Sequence, residues 1–326
     1  MIKNKNILVT GCYGFVAQHL INRLLNDGNT VVGIFNKKYQ LQIFNNAKFK
    51  KINKYYEVKG DIRNKKFIRK IFNFKKFHIC YHLAAISQVL DSNKNPIETF
   101  EVNLFGTINI LECIREQKSK IRLIFSSSDK VYGDNNKLPY NENSNFNALN
   151  PYDASKASAD IIARTYANTF NINVCVTRFV NIYGPGDVNW DRLIPGVIKS
   201  IMLNKIPIIR SNGKFLRDYL YIDDVIEGYV KLGAIFLRNN KLINGIAFNF
   251  GTKKPKSVIE VVKQINIILN KKKNYYLIKN KTKNEIKDQY SSYNLANKYL
   301  KWSPKISLKN GLILSCSWYK KNSNRF

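Results

Sequence analysis

Asn6-Ile7-Leu8-Val9-Thr10-Gly11-Cys12-Tyr13-Gly14-Phe15-Val16-Ala17 is the stretch that decides the fold. Asn6–Thr10 is a short apolar run that stops at a glycine. Phe15, His19-Leu20 and Leu24-Leu25 then recur at helical spacing, so the stretch reads as strand, tight turn and helix. A glycine-rich turn alone is only a turn, but this one leaves a strand and opens a helix. In that setting Gly11 permits the sharp bend and Gly14 lets backbone N–H groups approach a pyrophosphate. Ala17 is small enough for close helix–strand packing. The positive end of the helix faces the same place.

Working outward, Asp27-Gly28 stops the helix and Thr30–Phe35 is the next strand. An NAD site usually offers Asp or Glu just beyond that strand for the ribose hydroxyls. Here the residues are Asn36, Lys37 and Lys38, and two lysines suit a 2′-phosphate equally well, so NAD and NADP both stay open. Lys51–Val58 leads to Gly60-Asp61-Ile62, where Asp61 and Ile62 suit an adenine amino group and ring face, or an ordinary helix cap. The alternation continues with a helix from about Lys65 to Phe74, a strand at His78–Leu83 and a long periodic helix at Asn95–Gln117. A strand at Arg122–Ser126, a helix at Tyr152–Phe170 and a strand at Asn173–Arg178 follow. Near-continuous apolar strands between helices predict a parallel sheet covered on both faces. Beyond about 180 loop signals multiply. The expected division is 1–178 as a dinucleotide-binding domain, completed by part of 219–250, and 179–326 as a smaller lobe.

With 326 residues, 44% of them hydrophobic, the chain can bury a large core, which excludes a disordered protein despite a net charge of +32. That charge is uneven: +14 over residues 1–80, +3 over 81–249 and +15 over 250–326. Much of it is Lys beside Asn, as in Lys3-Asn4-Lys5-Asn6, which reads as composition bias on solvated faces. A basic nucleic-acid-binding protein is the remote alternative; no reading motif supports it. Cys12, Cys80, Cys113, Cys175 and Cys316 form no CxxC pair. With only three His (19, 78, 82) no metal site is expected. No apolar run reaches the ~18–20 residues of a membrane span. The chain enters a strand at once, and the expectation is a cytoplasmic protein without membrane contact.

Two further constellations carry chemistry. Tyr152 and Lys156, at i and i+4 on a helix, share a face. An ammonium beside a phenol lowers the phenol's pKa from about 10 toward a working value, making Tyr152 a base for a hydroxyl proton. Ser126-Ser127-Ser128-Asp129-Lys130 begins at a strand end, where α/β sheets place ligands. Three hydroxyls, a carboxylate and an ammonium in a row are costly to bury idle.

With these residues in view the chain resembles the extended short-chain dehydrogenase/reductases of the nucleotide-sugar epimerase/dehydratase branch. The resemblance runs through TGCYGFVA (10–17), GDIRN (60–64), YHLAA (81–85), EVNLFGTINILE (101–112), SSSDKVYGD (126–134) and NPYDASK (150–156). It continues through RFVNIYGPGD (178–187), NWDRLIP (189–195), RDYLYIDD (217–224) and KWSPKISLKNGL (301–312). It implies a Rossmann-type doubly wound parallel sheet with a smaller C-terminal α/β substrate-binding lobe. It also implies a homodimer through the 95–117 and 152–170 helices. The implied cofactor, NAD or NADP, is tightly held by Gly11, Tyr13, Gly14, Phe15, Val16, Asn36, Lys37, Asp61, Ile62, Leu83, Ala84, Ala85, Asn103, Tyr152 and Lys156. Ser87, Asn181, Arg192 and Arg217 are the implied contacts to a nucleotide sugar, the two arginines at its diphosphate.

Ser128-Asp129-Lys130 resembles the CDP-glucose 4,6-dehydratase-like group, where dTDP-glucose enzymes carry Thr-Asp-Glu and 4-epimerases carry small or neutral residues. Arg217-Asp218-Tyr219 keeps the general family form instead, so the resemblance points to the reaction more firmly than to the base. The implied reaction turns a nucleotide-activated hexose into its 4-keto-6-deoxy derivative. Tyr152, Ser128 and Lys156 would serve oxidation at C4, and Lys130 and Asp129 would be base at C5 and acid at O6. A 4-epimerase or reductase on the same scaffold is the alternative.

Overall fold

The computed structural model describes residues 2–36, 53–271, 275–277 and 286–323. The expected parallel sheet is present, with helices on both faces. Its strands are β1 (Asn6–Thr10), β2 (Thr30–Phe35), β3 (Tyr55–Lys59), β4 (Ile79–His82), β5 (Arg122–Ser126) and β6 (Asn173–Phe179). Short strands follow: β7 (Asn181–Tyr183), β8 (Ile208–Ile209), β9 (Leu216–Arg217) and β10 (Tyr219–Tyr221). Then β11 (Ala247–Phe250) rejoins the main sheet. The order is β11-β6-β5-β4-β1-β2-β3, every neighbour parallel. Strand order reverses between β1 and β4, which puts the ligand crevice outside their carboxyl ends. The short strands pair among themselves, β7 with β10 and β9 with Lys256–Ser257. The expected strand at Lys51–Val58 is observed as β3; residues 51 and 52 lie outside the described set.

Burial explains the pattern. The interior positions of β1 and β2 are fully buried, as a sheet covered on both sides requires. The helix Phe15–Asn26 turns Leu20, Ile21, Leu24 and Leu25 to the sheet. It packs on that face beside the helix Ile222–Arg238, in one core with Ile226, Tyr229 and Val230. The opposite face is covered by Lys65–Phe74, Gly106–Glu116 and Pro151–Phe170. All five cysteines are free and buried.

The helix expected at Asn95–Gln117 is not continuous. It runs as Pro96–Phe100, then a π-helical turn at Glu101–Phe105, then Gly106–Glu116. A π-turn inserts a residue and re-aims its side chains. Here it drives Asn103 into the core, where its Oδ1 accepts from Ile86 N at 2.8 Å. Its Nδ2 donates to Ile86 O at 3.0 Å and to Ser155 Oγ at 2.9 Å.

A buried ion pair ties the sheet to the Pro151–Phe170 helix. Arg178 on β6 donates to both oxygens of Asp160, at 2.8 and 2.7 Å, with both side chains fully buried. Its third nitrogen donates to Tyr132 Oη at 2.6 Å, and Tyr132 donates on to Asn249 of β11 at 2.8 Å. Losing one partner would leave a charge stranded in the core, which typically costs about 3–5 kcal/mol.

Candidate active site

The carboxyl ends of β1, β2, β4 and β5 open into one cleft of about 660 Å³. Register places the ends side by side, Thr10 opposite Ile34 on one flank and His82 on the other. At Gly11 the backbone takes φ +70°, and a Cβ there would lie 2.8 Å from Ala84 Cα, so no other residue fits the turn. Cys12 N donates to Ile34 O at 3.0 Å and closes the turn onto β2. The helix that follows starts at Gly14 with no side-chain cap and no acid in its first turn. Its first-turn amides and positive end therefore face the cleft without competition, which suits a pyrophosphate. Asp61, at the far edge, accepts from Asn36 Nδ2 at 2.9 Å and from Arg63. Burial alone would raise its pKa, but the Arg63 hydrogen bonds outweigh it and hold the carboxyl below the usual range. A fixed carboxylate beside an Asn amide offers the polar contacts an adenosine needs, so these residues fit a dinucleotide.

The cleft is lined by Gly11, Tyr13, Gly14, Phe15, Val16, Asn36, Asp61, Ile62, Leu83, Ala84 and Ala85. Ser128, Asp129, Lys130, Tyr152, Lys156, Ser87, Asn181, Arg192 and Arg217 line its other walls. Lys37 and Lys38 lie outside the described residues. Asn103 is a correction: it is 1% exposed and, held in its bracket, does not reach the cleft. Its role is to fix the wall behind it. A chain of buried hydrogen bonds runs from the glycine turn to Tyr152. Thr10 Oγ1 accepts from the amides of Leu83 and Ala84, so its own proton goes to His82 Nδ1 at 2.7 Å. Thr107 donates to Asn103 O at 2.7 Å, so His82 Nε2 carries the proton and donates to Thr107 Oγ1 at 3.0 Å. Asn103 reaches Ser155, whose hydroxyl donates to Tyr152 O at 2.8 Å. Burial, with Lys156 adding to it, pushes His82 down to about 3, consistent with a neutral ring.

Around Tyr152 the chemistry concentrates. Burial pushes its phenol up to about 12, against a hydrogen bond with Ser128 and the charge of Arg192, which lower it. Lys156 does not turn to the phenol. Its Nζ donates to Ser126 O at 2.8 Å and lies 5.1 Å from the Phe125 ring centre, and burial lowers its pKa to about 7. Ser128 Oγ accepts from Lys130 N and donates to Asp129 Oδ1 at 3.3 Å. Asp129 is 3% exposed. Burial first, then the nearby Asp218 carboxylate, push it up to about 7 against the lowering effect of Lys130. Arg192 is steadied by Asp187 at 3.1 Å, and Asn181 donates to Asp218 O. The Arg217 guanidinium donates to the carbonyls of Ile286 and Lys287. Asp218, Asp187 and Gln289, none of them named as a site residue from the sequence, help to set this environment.

Asp129 gives a pH prediction. Its folded pKa lies above its unfolded value, so its contribution to stability is complete below about pH 4 and is lost as pH rises through about 7. Asp129→Asn should therefore gain stability over the parent between pH 4 and pH 8, with a ceiling of about 4 kcal/mol. Urea unfolding at the two pH values measures it; an equal difference at both would mean an ordinary carboxylate.

Among the described residues no helix is long and apolar enough to cross a membrane, and no cluster of three or more His, Cys, Asp or Glu could hold a metal. The family model described as GDP-mannose 4,6 dehydratase matches residues 8–313. A dTDP-D-glucose 4,6-dehydratase of Dictyostelium discoideum is 35% identical over 276 residues, taking in 80% of this chain and 61% of that protein. A UDP-glucuronate 4-epimerase of Thermodesulfobacterium geofontis is 30% identical over 97% of this chain and 96% of its own length. The crystal structure of a dTDP-glucose 4,6-dehydratase from Bacillus anthracis in complex with NAD superposes with a TM-score of 0.88 at 27% identity, covering 98% of each chain. Dehydratases and 4-epimerases thus both stand among its relatives.

Proposed function

Because the chain belongs to the nucleotide-sugar dehydratase/epimerase family whose model is described as GDP-mannose 4,6 dehydratase, we propose that it is an NDP-hexose 4,6-dehydratase working with NAD, and that CDP-glucose is the first substrate to test. One observation carries the choice over a 4-epimerase. A buried carboxyl raised to about 7 and the Lys130 side chain sit side by side on the cleft wall, next to Ser128 and Tyr152. Inverting C4 needs no such pair; eliminating water across C5 and C6 needs an acid and a base.

The residues divide the work. Tyr152 takes the proton of the sugar 4-hydroxyl while Ser128 hydrogen-bonds that oxygen. When bound, NAD supplies the hydride acceptor at C4 and the donor at C6, together with a positive ring that favours phenolate. Lys156, held on Ser126 O, offers a donor for a ribose hydroxyl. The 4-keto group acidifies C5–H, so the Lys130 side chain removes that proton and Asp129 gives one to the departing 6-hydroxyl. Arg192 and Arg217 present guanidinium groups to the diphosphate. Ser87, exposed at the rim, and Asn181 are left for the sugar and nucleoside.

Mass spectrometry of products from a panel of NDP-hexoses tests the reading: dehydration removes about 18 mass units, whereas epimerisation leaves the mass unchanged. We also propose a homodimer. Ile97 (76% exposed), Phe105, Ile161 and Phe170 leave apolar surface on the 96–116 and 151–170 helices. Light scattering at micromolar concentration should give twice the chain mass; a monomer would refute it.

A further inference from the structure

Two buried atoms beside the catalytic pair have no hydrogen-bond partner among the described residues: Asp129 Oδ2 and Gln289 Nε2. Gln289 is fully buried, and its Oε1 accepts from Lys130 Nζ at 3.4 Å. The same amide lies close enough to Asp129 to hold its pKa down, although the two make no hydrogen bond of ordinary geometry. A lone buried donor facing a lone buried acceptor is an arrangement that proteins otherwise avoid. The backbone of Gln289 is fixed as well. It bridges to Arg217, its N–H donates to Leu216 O at 3.0 Å, and its carbonyl accepts from Asp218 N at 3.1 Å.

We propose that the Gln289 side-chain amide is the positioning residue of the Asp129–Lys130 pair, its oxygen turned to Lys130 and its nitrogen to Asp129. The proposal rests on the dehydratase reading above. An amide neither gains nor loses a proton in this range, so it accepts at one end and donates at the other whatever its neighbours do. The Lys130 end fixes the long, rotatable side chain that must reach C5. The Asp129 end opposes the Asp218 carboxylate and keeps the acid able to release its proton. Other ionisable groups face the pair too. Asp129 meets Asp218 from the β9–β10 junction, Tyr152 from the Pro151–Phe170 helix, and Tyr140. Lys130 meets Asp129 and Asp153, and Arg217 lies on the strand paired with Gln289. None of these changes in the test.

The test uses the full-length holoenzyme with Gln289→Met and Gln289→Glu. Methionine keeps the volume and removes both polar ends. Glutamate keeps the shape and puts a carboxylate against Lys130, which favours the ammonium and disables the base. Formation of reduced nicotinamide, which needs Tyr152, Ser128 and Lys156, should persist in both, with KM within about twofold of the parent. Release of dehydrated product should fall by about tenfold in the Met variant and by about a hundredfold in the Glu variant at neutral pH. The pH profile of elimination should move upward in both, and the Glu variant should recover in part as pH rises. Equal loss of both half-reactions with an unmoved pH profile would mean a scaffold residue only. Product release at the parental rate would also overturn the proposal. If the Glu variant fails to fold, the Met variant decides alone. If the parent itself dehydrates no hexose, the dehydratase reading fails first, and this proposal falls with it.

Discussion

Replacing Tyr152 with Phe is expected to lower turnover by roughly 10²–10⁴-fold while the cofactor stays bound. The change deletes one oxygen and keeps the ring, so the packing of the Pro151–Phe170 helix is preserved. The backbone at 152 is held independently by the Ser155 hydroxyl at 2.8 Å. Ser128 loses a partner but still contacts Asp129 and the Lys130 amide, so it is not stranded. What disappears is the acceptor for the 4-hydroxyl proton, and neither Lys156, turned to Ser126 O, nor His82, locked in the sheet, replaces it. Turnover and bound-cofactor absorbance measure the two halves of the expectation. Activity within about tenfold of the parent, equivalent to ~1.4 kcal/mol, would remove Tyr152 from this role.

Asp129→Asn and Lys130→Met should each halt the reaction between oxidation and elimination. Oxidation draws on Tyr152, Ser128 and Lys156, all unchanged, so reduced nicotinamide should build up on the enzyme. Elimination needs a proton for O6 and an acceptor for the C5 proton, and each variant withdraws one. In solvent deuterium the Asn variant keeps its base and should still exchange the C5 proton; the Met variant should not. The Asn variant should also be the more stable protein above neutral pH, which separates loss of chemistry from loss of fold. Dehydrated product at close to the parental rate in both would reduce residues 129 and 130 to a polar turn and favour the 4-epimerase reading.

Short-range signals carried far. Gly11 and Gly14 between an apolar run and a helical period were enough to place the first strand, turn and helix. The same alternation extended over 178 residues placed six of the sheet's seven strands; β11 joins from Ala247–Phe250. Misreadings came where sequence distance hides contact. Asn103 sits in a helical period, and the resemblance implies it as a cofactor contact. Its real partners, Ile86 and Ser155, are 17 and 52 residues away and are reached only through a π-turn that periodicity does not reveal. Lys156 reads from its spacing as a partner of Tyr152, and the structure adds a second anchor, the strand-end carbonyl of Ser126, which accepts a hydrogen bond from its Nζ. Gln289 carries no signal at all: a neutral residue in a lysine-rich flank, it comes to Lys130 across 159 positions because β9 pairs with its backbone. The buried Arg178–Asp160 pair was equally silent, since its residues lie 18 apart on different elements.

The hydrogen-bond chain from Thr10 through His82, Thr107, Asn103 and Ser155 bears on binding through conformational entropy. Each proton in it has a single available direction, so the wall beneath the cleft holds one arrangement before any ligand arrives. Fixing a residue's backbone costs about 1–2 kcal/mol, and at Tyr152 that cost falls on folding rather than on association. Dinucleotide and sugar therefore meet a surface already ordered, and the attraction of their phosphates to the helix end and the arginines is not offset by having to still the catalytic helix.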